Sequence, residues 1–201
     1  MSLKTTVDAL SMPPRLIFVP SLANYVQLLQ DKVFLGSFVN SAIVSTATTV
    51  LSMLLGAPAA YGLARASYRG RGLLGFWVLV TRMAPPIAFG IPFFLIYSSA
   101  GLIDTRLGLV LIYLTFNLSL VVWMMRSFFE AMPRSLEDAS LIDGANLIQA
   151  FTRVTLPLSA PGLAATAILC FLFSWNDFFY ALILTRQNAM TAPVAIVGFM
   201  N

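Results

Sequence analysis

The sequence predicts an all-α polytopic membrane protein with four transmembrane helices. Hydrophobic residues account for 59% of its 201 residues and charged residues for only 10%, and the mean hydropathy is +0.86. Four stretches are each long and apolar enough to cross a bilayer core about 30 Å thick, which takes roughly 20 helical residues. The composition therefore excludes an ordinary soluble domain and makes the lipid bilayer the first expected partner.

The predicted spans follow one another with short polar breaks. In chain order they cover residues 41–64, 73–97, 107–128 and 161–184. The second span contains Pro85, Pro86, Gly90 and Pro92, and we expect these residues to break it up, because proline removes a backbone donor and kinks a helix. Before the first span, the apolar spacing over residues 21–30 predicts a short amphipathic helix.

Basic residues are concentrated at one end of the predicted bundle. Arg65, Arg69 and Arg71 fall within a few residues of two helix ends, and further arginines flank the polar insert described below. The opposite end carries fewer basic residues, partly offset by Asp31 and Asp104. The positive-inside rule therefore makes the arginine-rich end cytoplasmic. The net charge of +4 is spread between the spans, so no basic face for nucleic acid is expected.

This orientation divides the chain into two parts. Residues 1–40 form a predicted extracytoplasmic N-terminal segment, and residues 41–201 form the membrane domain. The apolar stretch 16–19 is too short to be the core of a signal peptide, so we expect an upstream membrane helix that this chain lacks. The single cysteine, Cys170, excludes an intrachain disulfide.

A polar insert interrupts the apolar pattern at about residues 130–160, between the third and fourth spans. Three of the eight acidic residues of the chain lie within seven positions, starting at Glu137. The segment "SLED", from Ser135 to Asp138, fits a capping box at the start of a helix. Acidic residues in a first turn are also favoured by the helix dipole. A short polar helix is therefore predicted here.

A second short helix is predicted after a tight bend. Gly144 offers a left-handed C-cap for the first helix, and Asn146 with Gln149 fits a second N-cap pair. A single apolar stripe along the second helix is formed by Leu147, Phe151, Val154 and Leu158. This stripe could rest on lipid as an interfacial connector, but a short turn would connect two spans without a capped bend.

The segment "EDASLIDGANLIQAFTRVTLPL" closely resembles the cytoplasmic EAA loop of binding-protein-dependent ABC importer permeases. That family pattern is Glu-Ala-Ala, three residues, Gly, nine residues, and an Ile/Val-x-Leu-Pro ending. The resemblance assigns coupling to an ATPase to Glu137, Asp138, Ala139, Asp143, Gly144, Ala145, Leu156 and Pro157. Asp138 stands where alanine is usual, which is a mild change on a helix face expected to be exposed.

Other segments resemble carbohydrate-type permeases related to the maltose importer, including those for polyols. These segments are "FVNSAIVS", "AAYGLAR", "GLIDTRLGL", "SWNDFFYALILT" and "TAPVAIVGF". The resemblance covers nearly the whole chain and implies the permease core of a type I ABC importer. Members of this family normally have six membrane helices. The chain matches the second to the fifth, so we expect the first and the last to be missing from it.

The resemblance also implies partners and a location. The chain would be a multi-pass subunit in the cytoplasmic (inner) membrane of a prokaryote, working with a second permease subunit, two ATPase subunits and an external solute-binding protein. ATP and magnesium are expected on the ATPase subunits, with no cofactor, metal or catalytic residue in this chain. The insert would dock in an ATPase cleft and couple ATP use to the passage of a sugar or polyol.

Polar residues inside the predicted spans are functional hypotheses, because burying them in lipid is costly. The possible substrate pathway is formed by Asn117, Trp175, Asn176 and Asp177. Each of these residues could instead hold helices together through a partner in the same subunit. For Arg82, early in the second span, this helix–helix role is the favoured interpretation.

Two other functions fit parts of the pattern. An ion-coupled secondary transporter of a polar solute could use Asp177 and Arg82 as a coupling pair, but it would not need the insert. An intramembrane enzyme is excluded, because the sequence has no histidine and shows no paired catalytic carboxylates.

Overall fold

The structure is a computed structural model that describes residues 3–4, 11–12, 18, 20–67 and 69–198. Every regular element in these ranges is a helix, which confirms the all-α class. The first 19 residues of the predicted extracytoplasmic segment fall mostly outside the described ranges. In chain order the helices are α1 (Ala23–Gln30), α2 (Lys32–Arg65), α3 (Arg71–Met83), α4 (Pro86–Ser99), α5 (Arg106–Ala131), α6 (Ser135–Ile142), α7 (Leu147–Leu158), α8 (Ala160–Asn176), α9 (Phe179–Leu184) and α10 (Ala192–Gly198).

Two of these helices, α2 and α5, are each long and apolar enough to cross a membrane alone. The other candidate spans are bent pairs: α3 and α4 meet at 87°, and α7 and α8 meet at 77°. With each pair counted as one span, the described residues hold up to four. The third predicted span, residues 107–128, is confirmed as the greater part of α5.

The first predicted span begins earlier than expected. α2 starts at Lys32 rather than at residue 41, because the Asp31 carboxylate accepts hydrogen bonds from the N–H groups of Val33 (2.8 Å) and Phe34 (3.0 Å). An aspartate at the N-cap satisfies donors that have no partner inside the helix. Residues 32–40, which the prediction assigned to the extracytoplasmic N-terminal segment, are therefore the first turns of α2. The short amphipathic helix predicted before them is present as α1.

The second predicted span is broken at one place only. Ala84 is extended (φ −67°, ψ 130°), as expected for a residue before proline, and the chain turns through 87° there. Gly90 and Pro92 lie inside α4 and do not break it, contrary to the prediction. At Gly90 an added Cβ would lie 3.0 Å from a ring carbon of Phe179, so glycine allows α9 to approach.

The fourth predicted span is not continuous. α8 ends at Asn176, Asp177 is extended (φ −65°, ψ 124°), and α9 begins at Phe179. The carboxylate of Asp177 accepts hydrogen bonds from the N–H groups of Tyr180 (3.1 Å) and Ala181 (3.3 Å). Asp177 therefore interrupts the span and caps the helix that follows.

The core forms where α2 packs against α5 and α8. The buried face of α2 consists mainly of small residues, including Ser45, Thr48 and Gly56. A Cβ at Gly56 would lie 2.7 Å from Cγ1 of Val121 on α5, so the two backbones approach closely at this point. Small residues at such crossings are typical of membrane helices, where association depends on close packing.

At the end of the bundle opposite the insert, Asp104 and Asn40 form hydrogen bonds with residues 186–190. We call this set of contacts the outer clasp. Asp104 has a positive φ of 58°, and its carboxylate accepts hydrogen bonds from four consecutive N–H groups, those of residues 186–189. On α2, Asn40 donates to the carbonyls of Asn188 (3.0 Å) and Met190 (2.9 Å) and accepts from Nε of Arg106 (2.8 Å). Asp104, which was predicted to lie at this end, therefore contacts the loop that follows α9.

Candidate functional site

The insert begins with α6, but its predicted capping box is wrong. Arg134 is already helical (φ −62°, ψ −28°), so Ser135 lies in the first turn and not at the N-cap. The carbonyl of Arg134 accepts hydrogen bonds from the N–H groups of Glu137 (2.9 Å) and Asp138 (3.0 Å). The helix thus starts through its own backbone directly after Pro133.

The bend after α6 follows the prediction. Gly144 has a φ of +89°, and the N–H of Ala145 donates to the carbonyl of Ser140 at 3.0 Å. Asn146 and Gln149 form the predicted capping box at the start of α7: each side chain accepts a hydrogen bond from the other residue's N–H, at 2.9 and 3.0 Å. The insert is therefore a helix, a left-handed bend and a second helix.

The second helix of the insert contains a π-helical turn at Phe151–Thr155, which the sequence analysis did not foresee. The wider turn breaks the predicted single stripe, because helical spacing no longer keeps its members on one face. Leu147 and Leu158 are exposed, whereas Phe151 lies against Tyr61, with ring centroids 4.6 Å apart. Pro157 lies within the last turn of α7.

Glu137, the first of the predicted coupling residues, lies at the centre of a buried polar cluster. Its carboxylate accepts hydrogen bonds from Nε (2.9 Å) and Nη2 (2.8 Å) of Arg65. The hydroxyls of Tyr61 (2.9 Å) and Thr155 (3.0 Å) donate to the same carboxylate. Glu137 is only 7% exposed, so its side chain faces the interior of this subunit. The cluster joins α2, α6 and α7.

The same contacts determine the protonation state of Glu137. Burial alone would raise the pKa of Glu137, but the hydrogen bonds from Arg65, Tyr61 and Thr155 and the charge of Arg65 hold it below its usual range. Glu137 is therefore a carboxylate at neutral pH, matched by the guanidinium of Arg65. In the sequence Arg65 served only to predict orientation, and no local pattern links it to Glu137.

The other predicted coupling residues lie mostly on the outer surface of the insert. Asp138, Ala139, Asp143, Gly144 and Pro157 are exposed, and Ala145 and Leu156 are half-buried. Large apolar side chains share this surface, with exposures of 86% for Ile142, 67% for Leu147 and 73% for Ile148. We call Ile142, Leu147 and Ile148 the insert tip.

A cleft of about 770 Å³ opens beside the break between α3 and α4. It brings together two of the predicted pathway residues, Asn176 and Asp177, with Arg82. Its walls are largely aromatic, and the sequence analysis missed their members, which include Trp77, Phe89, Phe93, Phe116, Phe173 and Tyr180. No local pattern marks these residues, because they come from five different helices.

Asn117 and Trp175 do not line this cleft. Asn117 is fully buried and donates a hydrogen bond to Oγ of Ser174 at 2.8 Å, so it joins α5 to α8. The Trp175 ring stacks on Phe171 and meets Phe38 edge to face, with centroids 5.6 and 5.1 Å apart. Within the described subunit both residues occupy helix-packing positions.

Arg82 contacts a second helix of the same subunit, through Phe173 on α8, and it forms no hydrogen bond or ion pair in the described part of the chain. Its guanidinium carbon lies 4.9 Å from the ring centroid of Phe173, which is a cation–π contact. Asp177 is used in capping α9, and no ion pair joins it to Arg82 among the described residues. The coupling pair required by an ion-driven transporter is therefore not formed here.

Comparison with known proteins agrees with this architecture. Residues 52–200 match the family described as "Binding-protein-dependent transport system inner membrane component". The chain is 41% identical over 193 residues to "Probable ABC transporter permease protein y4oR" of Sinorhizobium fredii, covering 96% of this chain and 69% of that protein. It is 44% identical over 177 residues to "Trehalose transport system permease protein SugB" of Mycobacterium tuberculosis, covering 88% and 65%.

A solved structure shows the same fold. It is described as a bacterial ABC transporter involved in the import of the acidic polysaccharide alginate, and it aligns with a TM-score of 0.72 at 34% identity. The match covers 86% of this chain and 60% of the other, so the chain spans about two thirds or less of these proteins. With a family match over most of its length and these relatives, the chain belongs to the family of binding-protein-dependent transport system inner membrane components.

Proposed function

We propose that this chain is a permease subunit of an ATP-driven importer that moves a sugar or polyol across the cytoplasmic membrane of a prokaryote. The observation that carries the proposal is the insert, a folded polar structure that is anchored to the membrane helices through Glu137 and presents an exposed apolar tip. ATP and magnesium would be bound by two separate ATPase subunits. A second permease subunit and an external solute-binding protein would complete the transporter.

The insert tip has the properties of a docking surface. Ile142, Leu147 and Ile148 expose most of their side chains next to the exposed residues Asp138 and Asp143. A large exposed apolar patch with a polar rim marks an interaction site in a folded protein. The tip lies at the end of the bundle that carries Arg65 and Arg134, which the positive-inside rule places in the cytoplasm. An ATPase is therefore the fitting partner.

The cleft beside the α3–α4 break suits the passage of a sugar. Aromatic rings such as Trp77 and Phe173 can stack on the C–H faces of a sugar ring, and Asn176 and Arg82 can bond its hydroxyls. The bend at Ala84 frees backbone groups where they border this cavity, a position in which broken membrane helices are tolerated. We place Asn176 and Asp177 on the pathway. Asn117 and Trp175 would hold the helices that form it in position. The trehalose relative supports a sugar or polyol as the solute.

Reconstitution tests this function directly. The full-length permease, its partner permease, the ATPase and the solute-binding protein would be placed in proteoliposomes and offered labelled sugars and polyols, beginning with trehalose. We expect uptake that requires both ATP and the binding protein. Uptake driven by a proton or sodium gradient without ATP would contradict the proposal and support a secondary transporter.

A further inference from the structure

We propose that the Arg65–Glu137 cluster is the joint through which movement of the insert is passed to α2. This inference rests on the proposed coupling function and adds residues inside the subunit to it. The insert is covalently continuous with α5 and α8, but its connection to α2 is formed only by side-chain and backbone contacts. Those contacts converge on the last turn of α2, at Tyr61 and Arg65.

The Arg65–Glu137 cluster contacts the insert at several points. Arg65 binds the Glu137 carboxylate through two nitrogens and donates from Nη2 to the carbonyl of Met132 at 3.2 Å, just before α6. Tyr61 donates to Glu137 and also packs against the ring of Phe151 on α7. Because the guanidinium fork fixes orientation as well as distance, these contacts hold both helices of the insert in one geometry relative to α2.

Burial makes this contact suited to transmitting movement. The side chains of Arg65 and Glu137 are 11% and 9% exposed, so water competes little for their hydrogen bonds. By contrast, the ion pair between Arg126 and Glu130 at the same end has side-chain exposures of 22% and 43% and joins two residues of one helix. That surface pair offers a matched control, since it has the same charges and both of its residues belong to one helix.

The far end of α2 shows where such movement would arrive. Asn40 holds the carbonyls of Asn188 and Met190, and Ser41 accepts a hydrogen bond from the N–H of Ala192 at 2.8 Å. The helix between Ser41 and Arg65 is roughly 36 Å long at 1.5 Å per residue. α2 therefore connects the insert to the loop at the opposite end of the bundle.

The first test compares Glu137→Gln with Glu130→Gln in the reconstituted complex. Both variants remove one carboxylate from an ion pair at the same end. We expect Glu137→Gln to raise the ATP hydrolysed per solute imported about tenfold or more, because it leaves the buried Arg65 charge unmatched, and Glu130→Gln to leave this ratio unchanged. A purely structural role would reduce the amount of complex without changing the ratio, and that result would overturn the proposal.

A second variant covers the case in which Glu137→Gln fails to assemble. The exchange of both residues, Arg65→Glu with Glu137→Arg, should recover complex together with a ratio closer to wild type. If neither variant assembles, or if the exchanged pair assembles and the ratio stays high, the proposed joint is contradicted. Absence of ATP-driven uptake in the wild-type complex would instead contradict the proposed function itself.

A direct readout of α2 completes the test. Val39 is 49% exposed at the far end of α2, and a fluorophore can be attached to a cysteine there after Cys170→Ala. We expect ATP to change its emission in the wild-type complex and in Glu130→Gln, and to have no effect in Glu137→Gln. A signal that persists in Glu137→Gln, or that is missing from wild type, would show that α2 does not carry the movement.

Discussion

The carboxylate of Glu137 lies 2.8 Å from Nη2 of Arg65, although 72 residues separate them in the chain. The first residue of the loop motif is therefore held inside the subunit, while its neighbours Asp138 and Ala139 are exposed. The motif thus has a buried part, which fixes the insert to the membrane helices, and an exposed part.

Substitution of the buried glutamate should destabilise the complex. Glu137→Lys places a second cation against Arg65, and loss of a partner from a buried ion pair costs about 3–5 kcal/mol. We expect less assembled complex and a lower thermal midpoint, whereas Asp138→Lys, on the exposed side of the same helix, should change the midpoint little. Thermal unfolding of the purified complexes measures both, and equal midpoints would show that the cluster adds no stability.

Substitution of Gly144 at the bend should reduce transport without reducing the amount of protein. Gly144 has a φ of +89° with no heavy atom within 4 Å of an added Cβ, so Gly144→Val is strained by roughly 1–3 kcal/mol without a clash of that Cβ inside the subunit. We expect normal protein levels but little ATP-driven uptake, because the bulk and strain displace the insert tip.

The matched control for this variant is Gly101→Val. Gly101 also has a positive φ, +67°, and open space around it, but it lies in the turn before α5 and far from the insert. Immunoblots and uptake of labelled sugar compare the two variants. Full uptake with Gly144→Val would show that the insert only connects two membrane helices. Loss of uptake in both variants would show that backbone strain alone causes the loss.

The outer clasp should depend on pH in one direction. Burial would raise the pKa of Asp104, but the backbone N–H groups of residues 186–189 lower it to about 2. A carboxylate whose folded pKa is depressed stabilises the fold above its unfolded pKa of about 4 and loses this contribution as the pH falls toward 2. Protection of residues 186–189 should therefore be constant from pH 7 to about pH 5 and fall below pH 4.

Asp104→Asn tests the same contacts at neutral pH. Asparagine tolerates the positive φ of 58°, so the variant removes the charge and leaves the backbone in place. We expect the loop to lose about 1–2 kcal/mol, because solvent partly screens this carboxylate. Hydrogen exchange of residues 186–189, corrected for its intrinsic pH dependence, measures both effects. Unchanged protection in the variant would contradict this account of the clasp.

The orientation of the chain can be tested with single cysteines. Ile142 on the insert tip is 86% exposed and Gln187 in the opposite loop is also exposed, while the native Cys170 is buried. In intact cells that make the full-length protein, a membrane-impermeant thiol reagent should label Gln187→Cys and should not reach Ile142→Cys. Labelling of Ile142→Cys from outside would reverse the orientation.

Local patterns predicted the parts of the fold that depend on neighbouring residues. Apolar length located α5, a glycine located the left-handed bend at Gly144, and the Asn146–Gln149 spacing located the start of α7. The early start of α2 at Lys32 was also local, since Asp31 is a suitable N-cap, but the search for apolar length passed over it. Asp177 was interpreted as a pathway residue, which hid its capping role.

The remaining features depend on contacts between distant residues. Arg65 and Glu137 come together only when α2 packs beside the insert, and neither residue's neighbours reveal the other. The cleft is assembled from side chains of five helices around the bend at Ala84. The spacing of these residues along the chain therefore does not predict it. The π-helical turn at Phe151–Thr155 likewise has no simple sequence signal.

Site-specific crosslinking tests most directly whether an ATPase binds the insert tip. A photoreactive amino acid would replace Ile142 on the tip or, as a control, Gln187 at the opposite end, in the full-length permease expressed with its partners. We expect a covalent permease–ATPase product from position 142 and none from position 187. A complex that assembles without an ATPase product from position 142, or with one from position 187, would contradict this expectation.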